Sequence, residues 1–234
     1  MLKTDPGRKA NPLLDLAITI IIPSVILMKF SGEQDLGSVN ALLLALAFPL
    51  LWGAYELIGR RKLNWLAVLG LVSVLLTGGI GLLALDPQWL AIKEAAVPAV
   101  IGLAVLVSTR TRYPLIKTLL YNPAVMDVAR VQQELEARGT AGEFERRLQM
   151  ATQLLAGTFF FSAGMNYALA TWIVTSPAGT AAFNEELGRL TLMSYPMIAI
   201  PSMLMMMAVL YFLARSAQRL TGLKLAEMLH AARD

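Results

Sequence analysis

The chain alternates between long apolar runs and short polar or charged turns. Two of these runs, residues 63–85 and 89–108, lie on either side of a turn formed by Asp86 and Pro87. An apolar helix of about 20 residues spans the hydrocarbon core of a bilayer, and within lipid a helix satisfies its own backbone hydrogen bonds. The two runs therefore predict a membrane hairpin whose ends lie on the same side of the bilayer.

The same alternation continues along the whole chain and predicts an all-α, polytopic membrane protein with six transmembrane helices arranged as three hairpins. We expect a single membrane domain, with a cytoplasmic loop at 109–150 between the fourth and fifth spans. This loop contains a short amphipathic helix, because Val128, Val131 and Leu135 share one face at helical spacing. The predicted spans are about 13–28, 39–58, 63–85, 89–108, 151–174 and 190–213.

The composition agrees with a membrane protein and excludes several kinds of chemistry. Apolar residues make up 56% of the 234 residues and charged residues 15%, whereas a soluble domain has about a quarter of its residues charged. Because the chain has no cysteine, disulfides, thiolate metal sites and a cysteine nucleophile are excluded. The glycine-rich run at 77–81 lies inside an apolar span and is not a phosphate-binding loop. We expect no enzymatic activity, no cofactor and no metal.

The positions of the basic residues predict the topology. Of the 20 Lys and Arg residues, all but Lys29, Lys93 and Arg189 lie at ends of apolar runs that face one side of the bilayer. Since cytoplasmic segments carry the excess of Lys and Arg, both termini are predicted to be cytoplasmic. The basic charge is therefore explained by topology and by contact with anionic lipid headgroups, and it does not indicate a nucleic-acid partner.

Ionisable residues near the cytoplasmic ends of the spans form the first candidate site. A charge inside the bilayer costs about 2.5–3.5 kcal/mol, so a buried carboxylate is expected to have a cationic partner. If the cluster has a structural role, the pairing would hold the first, second and fourth spans together. The alternative is a gate or a site for anionic headgroups. The predicted cytoplasmic-face cluster contains Asp15, Glu56, Arg60, Arg110, Arg112 and Lys117.

A second group of polar residues lies within the spans or at their outer ends. Lys29, Lys93 and Glu94 lie near outer helix ends, where long side chains extend towards water. A substrate-binding role for Lys93 is the alternative. Asn166 lies near the middle of the fifth span, and a packing hydrogen bond to another helix is favoured over a ligand contact.

Small residues follow one face of the third span. Ser73, Thr77 and Gly81 recur every four residues, and such ridges allow helix backbones to approach closely in lipid. Packing within the chain is the favoured interpretation, and a homodimer interface is the alternative.

Five segments carry a more specific pattern. They are LLDLAITIIIPSVILMK in the first span, RRK before the third, GGIGLLALDPQWLAIKEAAVPAVIGLAVLVS through the central hairpin, YPLIKTLL after it and SAGMNYALATWIV in the fifth span. Together they resemble the bacterial intracellular septation protein A family over most of residues 11–176. The charged segment 122–150 is longer than in that pattern, so the chain resembles a longer-looped branch of septation-protein-A-like proteins.

The resemblance implies a multi-pass protein of the bacterial inner membrane that is linked to cell division and envelope integrity, with no established enzymatic activity. Its expected partners are the bilayer, including anionic headgroups, and membrane or division proteins that bind residues 113–150. One alternative is a transporter of small solutes, ions or lipids, whose pathway would be lined by Asp15, Glu56, Lys93 and Asn166. A second is a lipid-handling enzyme, which would need two acidic groups converging in an open cleft.

Overall fold

The computed structural model describes residues 16–60, 65–110 and 127–228, apart from the side chains of 55–60, 65–69 and 225. These residues form helices joined by short turns, with no strand among them. The predicted all-α class is confirmed for this part of the chain. In chain order the helices are α1 (Ala17–Lys29), α2 (Gly37–Arg60), α3 (Trp65–Leu82), α4 (Gln88–Ser108), α5 (Val128–Ala137), α6 (Ala141–Ile173), α7 (Ala181–Thr221) and α8 (Leu225–Met228).

Three helices in the described residues are long and apolar enough to cross a membrane. They are Gly37–Ala54 within α2, the whole of α4, and α7. The first and third predicted spans correspond to shorter apolar helices, Ala17–Lys29 and Gly70–Leu82. The fold is therefore compatible with a membrane protein, and the arrangement of six spans in three hairpins stays a prediction.

Two helices begin earlier than the apolar runs that predicted them. α6 begins at Ala141, and the predicted fifth span began at 151. α7 begins at Ala181, and the predicted sixth span began at 190. Both added segments are rich in charge but carry buried apolar residues four positions apart. These are Phe144 and Leu148 in α6, and Phe183 and Leu187 in α7. Packing of that one face is what extends each helix beyond its apolar run.

The described residues divide into two compact units. The first contains the residues up to Glu94 together with Asn166–Pro196. In it, α1 packs against α2 and the first part of α7, and α2 packs against α3. Gly188 of α7 lies directly on α1, because a methyl group added there would be 2.8 Å from the Ser24 carbonyl oxygen. This contact brings two helix backbones together, as small residues do in membrane proteins.

Polar contacts, some of them buried, fix the same region of the first unit. The fully buried Asn184 donates from Nδ2 to Ser31 Oγ at 3.1 Å and to the Ser38 carbonyl oxygen at 2.7 Å. The Glu186 carboxylate accepts hydrogen bonds from the backbone N–H groups of Thr175 and Ser176, each at 2.9 Å. The α6–α7 connection is therefore held by the first turns of α7.

The second unit contains Ala95–Met165 and the residues from Met197 onwards. Here α5, α8, the first turns of α6 (141–151) and the last turns of α7 (209–221) pack around a shared core, and we call this assembly the helical platform. The Asp127 N–H donates to the Met228 carbonyl oxygen at 2.8 Å, and Thr140 Oγ1 donates to the Leu220 carbonyl oxygen at 3.0 Å. Its core residues include Val131, Leu135, Phe144, Leu148, Leu213, Ala217 and Met228.

Candidate functional site

Lys93 lies in a partly buried polar cluster between α3 and α4. The Asp86 carboxylate accepts the Gln88 N–H at 2.8 Å, which fixes the start of α4 and places Lys93 in its second turn. Lys93 Nζ donates to Thr77 Oγ1 at 2.6 Å and to Ser73 Oγ at 3.3 Å. It also pairs with Glu94 Oε1 at 2.7 Å, and the Lys93 and Glu94 side chains are 9% and 31% exposed.

The Lys93 cluster satisfies its own charge and hydrogen-bonding groups. Ser73 and Thr77 lie one turn apart on α3, and Thr77 Oγ1 also donates to the Ser73 carbonyl oxygen at 3.0 Å. The Thr77 hydroxyl is thus both a donor and an acceptor, and the ammonium has a carboxylate partner. A paired, hydrogen-bonded charge is the form in which a buried lysine is stable. These contacts join α3 to α4.

The third residue of the small ridge has a different neighbour. A methyl group on Gly81 would lie 2.5 Å from Leu42 Cδ2 of α2, so Gly81 allows close contact with α2, whereas Ser73 and Thr77 contact Lys93. All these contacts lie inside the first unit. The structure thus brings together Lys93, Glu94, Ser73 and Thr77, which were predicted in two separate groups.

The predicted cytoplasmic-face cluster lies largely beyond the described residues. Asp15, Arg112 and Lys117 fall outside them, and so do the side chains of Glu56 and Arg60. Arg110 is exposed in the turn after α4. The cluster therefore stays a prediction.

Two further predicted residues are separate from the Lys93 cluster. Lys29 is exposed in the last turn of α1, where a cation interacts favourably with the helix C-terminus. Asn166 is half-buried in α6. Neither is part of the hydrogen-bonded set around Lys93.

A cavity in the second unit was not predicted from the sequence. It has a volume of about 320 Å³ and lies between α6 and α7, and we call it the basic groove. α6 contributes two charged residues to its lining, and α7 contributes aromatic, basic and other residues. Those that determine its chemistry are Glu143, Arg147, Tyr211, Phe212, Arg215 and Arg219.

The basic groove carries an excess of positive charge. Arg147 Nη2 pairs with Glu143 Oε1 at 3.1 Å, and the Arg147 guanidinium lies 5.9 Å from the centroid of the Phe212 ring. Arg215 and Arg219 form no ion pair with any carboxylate in the described part of the chain. Three guanidinium groups thus face one carboxylate. Because arginine binds phosphate and carboxylate groups through paired N–H donors, the groove is suited to an anion.

The comparisons with known proteins do not extend this description. No protein-family model, no curated protein sequence and no solved structure matches the chain significantly. The likeness to the septation protein A family therefore rests on the five sequence segments alone. Among the described residues, no group of three or more His, Asp and Glu side chains could hold a metal ion.

We predict that Thr77→Val lowers the melting temperature of the detergent-solubilised protein. The substitution keeps the shape of the side chain but removes the oxygen that accepts from Lys93 at 2.6 Å, and a hydrogen bond to a charged group contributes about 1.5–3 kcal/mol. Thr171→Val is the matched control, since Thr171 is exposed and its Oγ1 donates only to the Tyr167 carbonyl oxygen. Equal melting temperatures for the two variants would show that the Lys93 contact adds no stability.

Proposed function

We propose that the chain is a multi-span protein of the bacterial inner membrane that acts without catalysis in cell-envelope integrity or division. In this proposal its cytoplasmic helices present a fixed surface to protein partners. The observation that carries the proposal is the helical platform. A segment that the sequence predicted to be mainly loop is packed, through α5 and the start of α6, onto the C-terminal part of the chain.

The platform has the properties of a binding surface that is formed in advance. Its inner face is apolar. The hydrogen bond from the Asp127 N–H to the Met228 carbonyl oxygen links the start of α5 to α8. Its outer face on α5 is polar, with Gln132, Gln133 and Glu136 exposed. A surface that is already ordered loses little conformational entropy when a partner binds. This supports a docking role for the predicted cytoplasmic segment.

The two alternative functions receive less support from the described residues. A transport pathway would use Lys93, but Lys93 has its hydrogen bonds and its charge satisfied by Ser73, Thr77 and Glu94. The basic groove and its anion-binding chemistry lie elsewhere in the chain. A lipid-handling enzyme would require converging carboxylates, and its two candidates, Asp15 and the side chain of Glu56, lie outside the described residues.

Complementation of a deletion strain tests the proposal. We expect that deletion of the gene lengthens cells or weakens the envelope, and that the wild-type chain restores both properties. Glu136→Arg reverses a charge on the exposed face of α5 and is expected to restore them poorly. Glu185→Arg is the control, because it makes the same change at an exposed position outside the platform. Normal cell length and permeability in the deletion strain would refute the proposed role.

A further inference from the structure

One face of α7 changes from apolar to aromatic to basic along its length. Leu204, Met207, Tyr211 and Arg215 follow one another at spacings of three, four and four residues, which keeps them on one side of the helix. Leu204, Met207 and Tyr211 are 58%, 57% and 70% exposed, and Arg215 is also exposed. This face therefore has no covering helix within the described residues of its unit.

The length of this face matches one leaflet of a bilayer. The helical rise places Arg215 about 16 Å along the axis from Leu204, and half of the hydrocarbon core is about 15 Å thick. If Arg215 lies among the headgroups, Leu204 lies near the centre of the bilayer and Met207 lies beside acyl chains. Tyr211 then falls at the interface, where tyrosine is enriched in membrane proteins.

The basic groove lies at the polar end of the same face. Tyr211 and Arg215 belong both to the face and to the lining of the groove, and Arg147 and Arg219 add two more guanidinium groups. The pairing with Glu143 neutralises Arg147. Arg215 and Arg219 therefore leave the groove with a net positive charge. Its volume of about 320 Å³ is at the lower end of small-ligand sites, which are about 300–1,000 Å³.

We propose that the basic groove binds the headgroup phosphate of an anionic phospholipid from the cytoplasmic leaflet. The phosphate contacts Arg147, Arg215 and Arg219, and an acyl chain lies along Met207 and Leu204. The assignment to the cytoplasmic leaflet rests on the topology in the proposed function. A lipid is chosen over a free anion because the cationic groove continues into an exposed apolar face of leaflet length.

The binding of defined lipids to the purified, full-length, delipidated protein tests this proposal. Native mass spectrometry gives dissociation constants for phosphatidylglycerol and for phosphatidylcholine with identical acyl chains. We expect the wild type to prefer phosphatidylglycerol. Arg215→Gln and Arg219→Gln should each weaken phosphatidylglycerol binding about fivefold, because one arginine near an anionic lipid surface contributes roughly that factor. Binding of phosphatidylcholine should change little.

Two controls separate the groove from general surface charge and from misfolding. Arg146→Gln removes the same charge from an exposed neighbour of Arg147 that does not line the groove, and it should leave the preference unchanged. Arg215→Lys keeps the charge but loses the paired N–H donors, so its affinity should lie between the wild type and Arg215→Gln. The melting temperature of each lipid-free variant shows whether it is folded.

Three results would overturn the proposal. They are equal affinity of the wild type for both lipids, an equal loss for Arg146→Gln and Arg215→Gln, and inorganic phosphate that binds as tightly as phosphatidylglycerol. The last of these would identify a site for a free anion. Because lipid binding is measured on purified protein, its failure leaves the complementation experiment unaffected, and a normal deletion strain leaves the lipid site standing.

Discussion

Replacing Leu135 with alanine is expected to destabilise the helical platform by about 2–5 kcal/mol, the usual range for truncating a buried leucine. Leu135 is 1% exposed and belongs to the core that joins α5 to α6, α7 and α8. Truncation leaves a cavity between helices whose packing depends on this side chain. The effect is measured as faster amide hydrogen exchange in α5, with the protein in detergent.

A matched change on the same helix separates loss of packing from the effect of introducing alanine, which itself favours the helix. Gln133 is exposed on α5, and Gln133→Ala should change stability by less than about 0.5 kcal/mol. If hydrogen exchange in α5 is the same in Leu135→Ala as in Gln133→Ala, α5 is not held by this core. In that case the platform would not present a fixed surface.

The sequence predicted the buried face of α5 but not the residues that cover it. Helical spacing of Val128, Val131 and Leu135 indicated one apolar face, and Val131 and Leu135 are buried, while Val128 is half-buried. Their neighbours include Leu213 and Met228, which lie far along the chain. Periodicity within one helix shows that a face needs a partner, but it does not identify the partner.

The early starts of α6 and α7 show how composition can conceal a helix. Charged residues lower the average hydropathy of 141–150 and 181–189, so both stretches were predicted to lie outside the spans. Phe144 and Leu148 are one helical turn apart, as are Phe183 and Leu187. That spacing is a signal for an amphipathic helix, and it was available in the sequence.

The Lys93 cluster and the basic groove could not be predicted from the sequence, because that would require knowing how each helix is rotated. Lys93 and the small ridge were both singled out, but the sequence does not say which face of α4 meets α3. Arg147 and Arg215 lie on different helices and form one groove because α6 and α7 pack together in the second unit. Pairwise contacts of this kind depend on the rotation of each helix about its axis.

Gly188→Leu is expected to destabilise the first unit by about 3 kcal/mol or more, at the upper end of the range for overpacking. A Cβ at this position would lie 2.8 Å from the Ser24 carbonyl oxygen and 2.8 Å from Met28 Cγ. The first of these atoms belongs to the backbone of α1, so the clash cannot be relieved by rotating a side chain. α1 must move away from α7, and the protein should melt at a markedly lower temperature in detergent.

The displacement also threatens the buried polar contact one turn away. Asn184 donates to Ser31 Oγ at 3.1 Å, and separation of α1 from α7 would leave that amide without its partner, at a cost of about 1–3 kcal/mol. Gly164→Leu is the matched control, because Gly164 is exposed on α6 and has open space around its Cβ position. Since leucine also has a higher helix propensity than glycine, the control should be as stable as the wild type or more stable. Equal melting of the two variants would mean that α1 does not contact α7 at Gly188, and that the first unit is held together elsewhere.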